Sequence, residues 1–114
     1  MNNVLLNANR GKKIDMIKYK LIKNEDIVLR DIHQNFFLIN IKEKFYEGKN
    51  FLIRINEVGK LVWGIFDETD DIEVVCNNII DKYSIPIISV DFIKADIDEY
   101  CNMLIELEYL RYVK

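Results

Sequence analysis

The stretch Phe51-Leu52-Ile53-Arg54-Ile55-Asn56-Glu57-Val58-Gly59-Lys60-Leu61-Val62-Trp63 changes its period in the middle. Up to Ile55 the residues alternate. Phe51, Ile53 and Ile55 fall on one face and Leu52 and Arg54 on the other, the two-residue repeat of a strand. From Asn56 onward Val58, Leu61, Val62, Ile65 and Phe66 recur at helical spacing. Asn56 is a favourable N-cap, and Glu57 places negative charge in the first turn, where it suits the helix dipole. A strand therefore runs directly into a helix here.

Upstream of this junction the chain reads as strands. Residues 26–31 carry Ile27, Val28 and Leu29, and residues 35–41 carry Phe36, Phe37, Leu38 and Ile39, with a turn at His33-Gln34-Asn35 between them. The third strand covers residues 50–55. Its link to the second, residues 42–49, contains Glu47-Gly48-Lys49 and reads as a long charged hairpin loop. Hairpin links between successive strands favour an antiparallel meander. Further upstream Ile17, Tyr19 and Leu21 alternate with Lys18 and Lys20, which predicts a short half-exposed strand or arm, ended by Asn24-Glu25-Asp26. Residues 1–15 are polar around Gly11-Lys12-Lys13 and are expected to form a mobile tail.

Downstream the chain reads as helices. Asp67-Glu68-Thr69-Asp70 ends the first. Asp70 or Asp71 caps a second with the stripe Ile72, Val75, Cys76, Ile79 and Tyr83, and Pro86 stops it. Ile85, Ile87, Ile88 and Val90 form an apolar connector. The last helix is predicted from Asp91 to about Tyr109, with Ile93, Ile97, Tyr100, Cys101, Leu104 and Leu107 as its stripe, before an extended turn at Arg111-Tyr112-Val113. Strands first and helices after imply an α+β fold: a winged-helix-like, three-stranded antiparallel sheet followed by three helices. Residues 1–25 are then an N-terminal extension or arm, and residues 26–114 the domain.

Composition narrows the function. With 114 residues, half of them apolar and 31% charged, the chain supports one ordinary core. A net charge of −3 argues against binding nucleic acid through its phosphates. No run approaches the length of a membrane span and no secretory signal is read, so a cytoplasmic location is expected. His33, the single histidine, sits in a predicted turn, so a Cys-His or Ser-His-Asp site lacks its base. Cys76 and Cys101 have no metal-ligand spacing. A disulfide between them stays open, but two reduced, buried thiols fit the habit of free cysteine better. The acidic groups Asp67, Glu68, Asp70, Asp71 and Asp96, Asp98, Glu99 read as caps and polar faces, and neither has the ligand order of an EF-hand. Gly59 and Gly64 match no phosphate-loop spacing. A helix glycine instead permits close packing, and Trp63 reads as a core or partly exposed packing residue rather than a ligand platform. No catalytic set and no cofactor are expected.

The run Ile55-Asn56-Glu57-Val58-Gly59-Lys60-Leu61-Val62-Trp63 resembles the core signature of the PqqD-like family. The likeness continues through Phe66-Asp67, Ile72 and Ile79, to Asp96-Ile97-Asp98-Glu99-Tyr100, Leu104-Ile105 and Leu107. Ile27-Val28-Leu29-Arg30 looks like the family's opening strand. Members are peptide chaperones, or RiPP recognition elements. They bind the leader of a ribosomally made precursor peptide and deliver it to a tailoring enzyme, often a radical-SAM maturase. The resemblance implies that a leader adds as a strand beside the third strand, in a groove shared with the last helix. The peptide-binding residues would be Phe51, Leu52, Ile53, Arg54 and Ile55, with Ile97, Tyr100, Cys101 and Leu104. Leu52 would line apolar pockets together with Ile97, Cys101 and Leu104, and Arg54 would meet a leader carboxylate. The chain departs from the family in the long 42–49 link and in residues 1–25. Two other functions remain in view: a winged-helix DNA-binding regulator, though its helices present acidic faces, and a general protein–protein adaptor forming a homodimer through the Ile17–Leu21 arm.

Overall fold

A computed structural model describes residues 19–42 and 52–113. Its strands are β1 (Leu21–Lys23), β2 (Ile27–Ile32), β3 (Asn35–Asn40), β4 (Leu52–Ile55) and β5 (Leu110–Tyr112), and its helices are α1 (Glu57–Ile65), α2 (Ile72–Lys82) and α3 (Val90–Glu106). A 3-10 turn, Ile87–Ser89, precedes α3. Strands β2, β3 and β4 form an antiparallel sheet in that order, followed by three helices, as the period change at Asn56 predicts.

The β2–β3 hairpin closes on a two-residue loop, His33-Gln34, in which both residues have positive φ (54° and 68°). That is the pairing of a type I′ turn, whose twist matches the flanking strands. Neither residue is glycine, and the Asp31 carboxylate accepts the Gln34 N–H at 2.8 Å to hold the turn. Registers Leu29↔Leu38↔Ile53 and Phe36↔Ile55 put these side chains on one face. Leu38 and Ile55 join the core with Val62, Trp63, Val75, Cys76, Cys101 and Leu104, so the helices cover that face.

Two expectations are corrected at the far end of the molecule. The last helix stops at Glu106, short of Tyr109. Glu108 takes positive φ (67°), and the Tyr109 N–H reaches back to the Leu104 carbonyl at 2.8 Å, which turns the chain out of the helix. Leu110–Tyr112 is then a true strand and not a loose turn. It pairs with β1, Leu21↔Tyr112 and Lys23↔Leu110, as a second, two-stranded sheet. The described part of the predicted arm, from residue 19, is thus docked. Leu21 has no exposed surface, its N–H meets the Asp70 carbonyl at 2.8 Å, and the Tyr19 ring stands edge-on to Tyr112. Asn24, read as a strand breaker, is buried. Its amide donates to the Glu108 carbonyl and its side-chain oxygen accepts from the Asp26 N–H. Residues 1–18 and 43–51, with the predicted tail and most of the hairpin loop, lie outside the described residues.

Candidate peptide-binding edge and pocket

Strand β4 hydrogen-bonds to β3 on one side, and among the described residues no strand lies on its other side. A free strand edge presents a row of unpaired N–H and C=O groups. Among the described residues no strand lies on the outer edge of β2 either, but of these two edges it is β4 that leads into a cavity. At its end Asn56 caps α1: its side-chain oxygen accepts the Gly59 N–H at 2.7 Å. Asn56 also lines a largely apolar cavity of about 440 Å³, enclosed by Val58 and Gly59 of α1, Ile79 and Tyr83 from α2 and its cap, and Ile93, Asp96, Ile97 and Tyr100 of α3. That volume is in the range that accepts a small ligand or a bulky side chain. On the other side of Asn56 a polar depression holds Arg54 and Glu57.

Gly59 explains why there is room. The Tyr100 hydroxyl donates to the Gly59 carbonyl at 3.1 Å. A side chain at position 59 would place its Cβ 3.0 Å from the Tyr100 oxygen and 3.3 Å from the Asn56 side-chain oxygen. Absence of that side chain lets α3 cross closely over the start of α1. Burial pushes the Tyr100 phenol above its ordinary range, so it serves as a neutral donor. Burial likewise pushes the Cys76 and Cys101 thiols up to about 12, and both are free.

The nine residues expected to bind peptide are divided by the structure. Ile97 and Tyr100 line the cavity. Leu52, Ile53, Arg54 and Ile55 form the edge strand, while Phe51 lies outside the described residues. Cys101 and Leu104 have no exposed surface and are packed in the core, out of a ligand's reach in this conformation. The expected pocket shared by Leu52 with Ile97, Cys101 and Leu104 is not formed. Leu52 pairs with Ile39 on the sheet face turned away from the helices, because the strand repeat that sends Ile53 and Ile55 inward sends Leu52 and Arg54 outward. The Arg54 guanidinium lies on that outer face and donates to the Asn35 side chain. Val58, Tyr83 and Asp96 were not expected at the site. Val58 and Tyr83 read as stripe residues and Asp96 as part of a polar face, and Gly59 reads only as a point of close packing.

Among the described residues no group of three His, Cys, Asp or Glu side chains is arranged to hold a metal, and no helix is long and apolar enough to cross a membrane. No family model matches the sequence, and no curated protein matches it. In three dimensions the chain is similar to TbiB1 in complex with the TbiA(beta) leader peptide. The TM-score is 0.62 and the identity 18%, over 82% of this chain and 99% of that one. The two share a fold.

Proposed function

We propose that this chain is a non-catalytic peptide chaperone of the PqqD-like kind, which captures the leader of a ribosomally made precursor and presents it to a separate tailoring enzyme. The observation that carries the reading is the open β4 edge running, through Asn56, into the apolar cavity between α1 and α3. An extended peptide pairs with such an edge, each hydrogen bond contributing roughly 0.5–1.5 kcal/mol net. Main-chain pairing is indifferent to sequence. Selection therefore falls to the cavity, which fits one large apolar side chain next to a basic or amide group facing Asp96.

TbiB1, which has the same fold, is seen with a leader peptide, and this supports the same class of ligand here. The sequence resemblance points to a radical-SAM maturase as the tailoring enzyme and to action in the cytoplasm. The exposed faces of α3 carry Asp91, Asp96, Glu99 and Glu106, and nothing in them favours a DNA-reading helix.

The test is a titration of isotopically labelled protein with the leader of the precursor encoded beside its gene. Amide signals of residues 52–59 and of Ile93, Ile97 and Tyr100 are expected to move together. Val58→Asp, at the partly exposed mouth of the cavity, is expected to weaken binding at least tenfold while the melting curve is kept. A leader that saturates the protein without moving these signals, or full affinity in the Val58 variant, would reject the site.

A further inference from the structure

Strand β3 is apolar on both faces: Phe36 and Leu38 point to the helices, Phe37 and Ile39 away from them. A sheet with one wet face normally alternates apolar with polar residues, whereas continuous apolar runs belong to strands covered on both sides. The outer face is built in rows. Val28, Ile39 and Leu52 lie across the three strands, and beside them Arg30, Phe37 and Arg54. Leu52 and Ile32 on this face are 42% and 49% exposed. No helix of the described residues packs here.

We propose that this outer face is a second docking surface, separate from the leader site, that takes an amphipathic segment of a partner protein with an apolar ridge and flanking carboxylates. The charges choose the occupant. Arg30 and Arg54 bracket Phe37, and neither has a carboxylate partner among the described residues, where the one salt bridge is Lys23–Asp67. A second copy related by a two-fold axis would set this Arg-Phe-Arg row against itself, and like charges held opposite each other are destabilising. A nucleic-acid backbone calls for a denser set of cations than two arginines in an apolar field. A leader strand on β4 would leave Val28, Arg30 and Phe37 uncovered, so leader and partner can be held at once.

The experiment uses the full chain and two synthetic helical peptides with one leucine face, flanked by glutamate in one and by lysine in the other. The glutamate peptide is expected to move the amide signals of Val28, Arg30, Phe37 and Ile39, and to bind at least tenfold more tightly than the lysine peptide. Arg30→Glu, an exposed change two strands from the β4 edge, leaves one arginine and one glutamate on the row; it is expected to abolish that preference and leave leader binding unchanged. Equal affinities in the unsubstituted chain, no binding by either peptide at millimolar concentration, or a dimer in sedimentation that Phe37→Ser dissolves would overturn the proposal. None of these results bears on whether β4 binds a leader.

Discussion

At the scale of single residues, Asn56 and Gly59 act as a pair. Asn56 satisfies an otherwise orphaned N–H of α1, and the missing side chain of Gly59 admits the Tyr100 phenol. Asn56→Ala is expected to cost about 1 kcal/mol, the usual loss of an N-cap, read from the urea midpoint. In Gly59→Ala the gain in helix propensity, about 1 kcal/mol, offsets a disturbed Tyr100 hydrogen bond of similar size. Stability is expected to stay nearly level, while the displaced phenol narrows the cavity and leader affinity falls. Calorimetry with the leader checks both parts. These roles were half legible. Asn56 announced itself as a cap and Gly59 as a close approach, but the approaching residue, Tyr100, is forty-one positions away and could not be named from spacing. The resemblance placed Cys101 and Leu104 in a groove, whereas their positions on the helical stripe pack them into the core.

At the scale of elements, the sheet and the first two helices followed from period and caps, because those signals are local. The β1–β5 pair did not. Alternation at Tyr19 and Leu21 suggested a short strand, but three-residue strands carry too little pattern to show their pairing, and what stabilises them is a partner at the other end of the sequence. The arm was therefore read as an appendage, whereas Leu21 is among the most deeply buried side chains. Leu21→Ala is expected to cost about 2–5 kcal/mol, the range for emptying a close-packed site. That is a large share of the stability of a small domain, and a denaturation series measures it. The helix stripes predicted Ile97 and Tyr100 as apolar positions, but whether such a residue faces core or cavity depends on how three helices splay, which no single stripe encodes.

At the scale of the whole molecule, four weak acids are held neutral. Cys76 and Cys101 are raised by burial, as is Tyr100, and Tyr19 is raised by burial and then by the Asp98 carboxylate that accepts its hydrogen bond. Their folded values exceed the unfolded ones, near 9 and 10, so the folded state holds protons that the unfolded chain releases. Stability is expected to be fully present below about pH 9 and to fall as the pH climbs from there toward 12, followed by thermal melts across that window. The same burial makes the thiols slow toward an aromatic disulfide reagent in native buffer and fast in urea, so the reaction rate reports opening of the core.

Closing the β1–β5 clasp has a cost in time as well as in energy. Residues 21 and 112 must find each other after the intervening chain has ordered, so the search entropy is spent late and the transition state is expected to lack this contact. Weakening it should then leave the refolding rate almost untouched and shorten the lifetime of the native state. The fastening that joins the two ends of the domain would act as a timer on how long the open edge on the far strand stays presented.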